Sequence, residues 1–400
     1  MTMTTRPVYL IPLLLLFALL HGCSTFGPAR TVDAGTPLNK AVTELPDEQL
    51  LDVWVELFDP GELPEDEDKA MGLSMDIREA EARYLPEQLR ATMETTGHWG
   101  AVRLVPRDTT GSELLVRGTI LESDGEQLAL QITALDATGR QWFRRTYREE
   151  IEYAQYTNRG QNGTDVFQPL YNTIANDLAE FRAKLDAAET AAIRRVAALR
   201  FAADLAPEAF AGYLETDRDK YKVVHLPAAE DPMYQRVQAI RDRDFLLIDT
   251  LNGHFDNFTR QMESPYTEWR KARSEEAAAL RKLEREAWQR KLLGAAAILG
   301  AIAVESSNNG NNAGSSVLRD VMVVGGVYAI KAGFDKSSET GIHRDAITEL
   351  DESFSSEARP MVVEVEGETH ELTGSAEAQY TKWRALLKRI YASETGLAGS

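Results

Sequence analysis

The residues best equipped for chemistry lie near the C-terminus, where MVVEVEGETHEL (Met361 to Leu372) holds Glu364, Glu366, Glu368 and Glu371. Two facing carboxylates can act as acid and base on a glycosidic bond, and strand residues two apart share a face. Such spacing is also common on a solvated strand edge, which is the simpler reading. His343-Arg344-Asp345 spells the letters of a kinase catalytic loop, yet the glycine-rich loop, strand lysine and metal-binding aspartate of a kinase are missing. His98, His225, His254 and His370 lack metal-ligand spacing and have no cysteine helpers. The acidic run Glu65, Asp66, Glu67 and Asp68 lacks the alternating ligands and central glycine of a calcium loop and reads as a solvated loop. No G-x-S-x-G, P-loop or dinucleotide fingerprint occurs. The sequence therefore assigns no catalytic, cofactor-binding or metal-binding residue, and implies no enzyme.

One stretch could bind. Arg140, Arg144, Arg145 and Arg148 stand beside Trp142, Phe143 and Tyr147, and a basic, aromatic face can grip a glycan, a nucleic acid or an acidic protein. The whole chain carries 44 basic and 63 acidic residues, a net charge of −19. Such a surface repels phosphate backbones. Nucleic acid is set aside as a partner, and the strand reads as a solvated face.

The remaining reactive group is the thiol of Cys23, the single cysteine among 400 residues. Before it come Arg6, an apolar run from Val8 to Leu20, then His21 and Gly22: the order of a secretory leader. The run is too short for a bilayer-spanning helix, which needs about 20 residues. Leu20-His21-Gly22-Cys23 resembles the lipobox of bacterial lipoproteins, with His21 in place of the usual small residue. The resemblance implies a signal peptide over 1–22, a lipid carrying diacylglycerol and palmitate on Cys23, and attachment to the membrane. Ser24, where aspartate would hold a family member at the inner membrane, implies transfer to the outer membrane, facing the periplasm. Residues 23–46 are polar and turn-rich and read as the lipidated tether.

From 47 to 186 the pattern predicts a mixed α/β domain. Leu51 to Phe58 alternates as a strand. Ile77, Ala80, Tyr84, Leu89 and Met93 mark a helix that Pro86 should kink or restart. Strands follow over Trp99 to Val105, Leu114 to Glu122, Leu128 to Asp136 and Gln141 to Tyr147, with Asp124-Gly125 and Thr138-Gly139 as hairpin turns. A helix with Thr164 or Asp165 as cap then carries the stripe Val166, Phe167, Leu170, Tyr171, Ile174, Leu178, Phe181 and Leu185. The runs LRATMETTGHWGAVRLVPRD (89–108), ELLVRGTILES (113–123) and LALQITALDATGRQWFRRTY (128–147) resemble the periplasmic α/β domain of TolB N-terminal domains, of the LpoB activator of penicillin-binding proteins and of CsgG-type secretion lipoproteins. That resemblance implies a protein-binding module with no active site.

Residues 187–304 read as helical: Ala187 to Leu205, a short restart at Pro207, and a pair begun by Asp231-Pro232 and Ser264-Pro265. Val237, Ile240, Ile248, Leu251, Phe255, Phe258 and Met262 form a stripe with Asp244 as its single break. The two long helices are expected to fold back antiparallel at Glu263 to Pro265, the second carrying Trp269, Leu280, Leu283 and Trp288, with Glu286 and Arg290 as an i,i+4 pair. Leu292 to Val304 and Val321 to Ile330 are apolar and glycine-bearing, separated by a polar loop (305–316). They suit a packed helical pair, a close-packing hairpin in lipid or, for the second, a strand. Residues 317–400 end in a helix over Ile342 to Phe354, a hairpin about Gly367 and a last helix from Ser375 to Tyr391.

The fold class expected is α+β: a mixed α/β domain with a β-meander, a mainly helical region with a long antiparallel helical hairpin, and a small helix–hairpin–helix unit. The function expected is that of a non-enzymatic outer-membrane lipoprotein binding another envelope protein, with homo-oligomerisation open. One alternative is a subunit of an oligomeric secretion or pore assembly using 292–304 and 321–330. The other is a peptidoglycan-acting enzyme using the C-terminal glutamates.

Overall fold

The computed structural model describes residues 29–65, 73–159, 164–228, 230–305, 345, 348–349, 361–365 and 368–395, and of 157–159, 276–305, 361–362, 364–365 and 368 the backbone alone. The fold is α+β. Strand β1 is Arg30–Thr31 and β2 is Val53–Glu56, followed by helix α1, Met75–Glu94. Then come β3 (Val102–Val105), β4 (Leu114–Ser123), β5 (Gln127–Asp136) and β6 (Gln141–Glu150). These strands form one sheet in the order β1-β6-β5-β4-β2-β3. β2 runs parallel to both β3 and β4, β4 through β6 form an antiparallel meander, and β1 lies parallel to β6. The four strands of the 99–147 region thus lie where alternation and turn residues place them.

Pro86 does not start a second helix: α1 runs through it. A proline frees the carbonyl four residues earlier, here that of Ala82, and this carbonyl accepts from Phe58 N–H at 2.9 Å. The orphan is consumed where β2 ends. Gly118 serves the same corner, because a Cβ there would stand 2.5 Å from the Phe58 ring.

Helix α2 (Tyr153–Arg159) leads to α3 (Gln168–Arg182), and α1 and α3 cover the sheet face that carries Val53, Leu130 and Tyr147. The 29–46 segment is no loose tether. Arg30 pairs with Asp177 on α3, Val32 N–H donates to Arg148 O, and Asn172 and Asn176 donate to the carbonyls of Thr36 and Pro37. Polar composition had concealed these backbone partners.

Helices α4 (Ala187–Leu205) and α5 (Pro207–Phe210), the hairpin β7 (Leu214–Asp217) with β8 (Lys220–Val223), and α6 (Pro232–Glu305) complete the second layer. α4 opens with a reciprocal capping box between Asp186 and Glu189. The expected antiparallel hairpin at 263–265 does not form: α6 is one helix of 74 residues, about 110 Å long. An interior proline costs about 3 kcal/mol, but the buried stripe Phe255, Phe258, Met262, Tyr266 and Trp269 stays in phase across it. Burying each large apolar side chain contributes roughly 1.5–3 kcal/mol, which outweighs the break. Gln261, whose carbonyl Pro265 leaves without its helical donor, is exposed.

Strands β9 (Met361–Val365) and β10 (Glu368–Leu372) form the expected hairpin, and α7 (Ala376–Thr395) packs against α6 and α4. The buried apolar residues of 187–274 and of α7 join those of the sheet in one continuous core. Among the described residues, no helix is long and apolar enough to cross a membrane.

Candidate functional site

Two buried carboxylates fasten the layers together. Asp165 receives Arg270 Nη2 at 2.8 Å and the Tyr84 hydroxyl at 3.0 Å, tying α6 to α1 and to the start of α3. Both members of the ion pair are at most 2% exposed. Burial alone would raise the Asp165 pKa, but the Arg270 charge and its hydrogen bonds hold it below the usual value. Beside it, Glu81 accepts from Tyr266 and Ser123, and burial pushes its pKa up. Neither Thr164 nor Asp165, the caps the sequence suggests, stands at the cap of α3: the helix begins at Gln168, with Pro169 in its first turn. Asp244, the break in the α6 stripe, is the second anchor. It accepts from Trp383 Nε1 at 3.1 Å, Arg384 Nη1 at 3.0 Å and the Tyr380 hydroxyl at 3.4 Å, all on α7. Burial keeps its pKa above the usual value despite Arg384.

The sheet edge is closed as well. The Asn252 amide on α6 accepts from Leu104 N–H and donates to Leu104 O, both at 2.7 Å, taking a neighbouring strand's place along β3. Arg103 reaches Asp249 at 2.7 Å and lies 4.6 Å from the centre of the Phe245 ring.

The opposite face of β4–β6 is different. Arg117 lies across from Thr133, and Thr133 across from Arg144, so these side chains form one row. Arg117 and Arg144 are exposed. Arg200 of α4 and Tyr221 of β8 approach this face at its Leu115 and Leu135 end, and Phe245 of α6 meets Trp54 at its β2 end. Arg117 Nε bonds Glu56 at 2.9 Å, Arg144 Nε bonds Gln131 at 2.9 Å, and Arg148 bonds Glu122 and Gln127. The Glu56 pKa is raised by burial, against the pull of Arg117.

At one end of this face three turns converge on a cleft of about 390 Å³. Its walls include the 108–112 segment, Leu115 and Leu135 on the sheet, Arg200 from α4 and Tyr221 from β8. Gly139 lets the β7–β8 tip come close: a Cβ there would meet Asp219 O at 1.8 Å. Arg200 Nη1 donates to Ala137 O at 3.1 Å, and its guanidinium lies 4.2 Å from the centre of the Tyr221 ring.

Comparisons with protein-family models, with curated proteins and with solved structures find no match. The site therefore has to be read from its geometry.

That geometry splits the basic, aromatic strand in two. Trp142, Phe143 and Tyr147 are buried. Trp142 stacks on Phe181, and Arg145 and Tyr147 reach Asp177 on α3, while Arg144 and Arg148 point to the open face. Rings and open-face arginines do not form one gripping surface. The C-terminal glutamates also divide: the β9–β10 register puts Glu364 and Glu371 on one face and Glu368 on the other, and Glu366 lies outside the described residues. His98, His225, His254 and His370 are dispersed, and among the described residues no group of three or more metal-ligating side chains occurs.

Cys23, Asp66 to Asp68, the loop 306–316, Val321 to Ile330 and His343-Arg344 lie outside the described residues, as does most of the helix expected over 342–354. Residues 292–304 continue the α6 backbone. The sequence reading missed the β7–β8 hairpin and with it the cleft. The signal was present in the alternation of Leu214 and Thr216 with Tyr221 and Val223 about Asp217-Arg218-Asp219.

Proposed function

We propose that this chain is an outer-membrane lipoprotein, anchored through Cys23, that binds another envelope protein on the open face of its sheet, with no chemistry of its own. The observation that carries this reading is the row Arg117, Thr133 and Arg144, whose two arginines are exposed, while α1 and α3 close the other face and Asn252 the β3 edge. The two arginines are held in place by strand neighbours, Arg117 by Glu56 and Arg144 by Gln131. As a surface for a partner they offer guanidinium donors fixed on rigid strands. The resemblance of 89–147 to protein-binding periplasmic domains points the same way, and the long α6 supplies reach.

The test is affinity purification of the intact lipoprotein from detergent extracts, wild type against Arg144→Glu and Thr133→Arg. The expected result is one envelope protein that co-purifies with the wild type and is lost from both variants. The same partner retained by both would contradict the assignment to this face, and repeated failure to recover any partner with the wild type would remove the reading.

A further inference from the structure

The cleft beside the open face holds charges that the fold leaves unspent. Asp136 is not among them: it accepts from Trp142 Nε1 at 2.9 Å, Arg140 Nε at 3.1 Å and Thr138 N–H at 2.9 Å. Arg117 is likewise engaged by Glu56. Three charged groups remain: the carboxylates of Asp108 and Asp219, with no partner among the described residues, and the Arg200 guanidinium, whose only described contacts are a carbonyl and a ring. The backbone holds both carboxylates at the rim by unusual means. Asp108 (φ 62°), Arg218 (φ 46°) and Asp219 (φ 67°) are the non-glycine residues with left-handed backbone among those described, and Asp108 and Asp219 line this cleft. Aspartate enters this backbone region more readily than most residues, so both turns keep their shape. Between the charges, Leu115 and Leu135 provide an apolar floor.

We propose that the cleft binds a free basic amino acid: two ammonium groups facing Asp108 and Asp219, one carboxylate on Arg200, and a methylene stem over Leu115 and Leu135. Two acids and one base in the site match two cations and one anion in the ligand, and the cleft lies within the roughly 300–1,000 Å³ usual for small-molecule sites. A carboxylate on a guanidinium gains a charge-assisted, bidentate contact. This goes beyond partner binding on the open face and stands or falls separately from it.

Isothermal titration calorimetry on the intact protein in detergent tests it with four probes: L-lysine, Nα-acetyl-lysine, Nε-acetyl-lysine and cadaverine. The last three each lack one of the charges. Saturable binding of L-lysine is expected, with each truncated probe weaker by roughly tenfold or more, one charge-assisted contact being lost each time. Asp108→Asn and Asp219→Asn should weaken lysine by a similar factor, because asparagine tolerates left-handed backbone and removes only the charge. Their far-ultraviolet circular dichroism should match the wild type. Arg200→Gln should cost most against lysine and least against cadaverine, which has no carboxylate. No saturable heat with L-lysine would overturn the proposal. So would equal binding of all four probes, or unchanged affinity in folded asparagine variants.

Discussion

On the sheet face that carries Val53, Leu130 and Tyr147, polar side chains reach partners on helices: Tyr147 finds Asp177, and Ser123 finds Glu81. On the face that carries Arg117, Thr133 and Arg144, Arg117 and Arg144 reach other strand side chains, Glu56 and Gln131. Both faces belong to the same strands, and strict alternation divides them. The difference separates what polar groups do in this molecule. Under the helices they are buried and structural; on the open face Arg117 and Arg144 are exposed to solvent. Substitutions on the two faces should therefore fail in different assays.

The largest loss of stability is expected from Asp165→Asn, which leaves Arg270 buried with its charge unmatched at a cost of about 3–5 kcal/mol, measurable by urea unfolding. Its pH dependence has a definite sign. The Asp165 pKa is lowered in the folded state, so the stability it contributes is present above its usual 3.8 and is lost as the pH falls through the lower folded value. Asp244 has the opposite sign. Burial raises its pKa, so its contribution is greatest below 3.8 and declines as the pH rises through the raised value. Urea midpoints taken across acid pH should show the cost of Asp165→Asn shrinking toward low pH and the cost of Asp244→Asn shrinking toward high pH.

Next in size is Asp244→Ala, at about 2–4 kcal/mol, since Trp383 and Tyr380 lose their acceptor and Arg384 keeps only Asp204. Hydrogen exchange should locate that loss in α7 and spare β4–β6. Asn252→Leu follows. It strips the Leu104 N–H and C=O of their partner, at about 1–3 kcal/mol, and should raise exchange along β3. Arg144→Glu, on the open face, should change stability by no more than about 0.5 kcal/mol while abolishing capture of the partner.

The strands and their turns were legible because alternation and Asp-Gly or Thr-Gly pairs act locally. Two helices run through a proline for a related reason. Pro86 and Pro265 each break a local rule, and what tolerates them comes from elsewhere: Phe58 N–H for one, the in-phase stripe from Phe255 to Trp269 for the other. Asp244 and Asp165 looked like a flaw in a stripe and a helix cap because their partners lie 140 and 105 residues away. The cleft was invisible for a related reason: Asp108, Arg200 and Asp219 come from three elements that meet only in the fold.

Photocrosslinking in intact cells most directly separates the two faces. A photoreactive residue at position 133, on the open face, is compared with one at position 180, exposed on α3. A discrete adduct with one envelope protein from position 133, and none from position 180, is the predicted result. The same adduct from both positions, or none from position 133, would contradict the account.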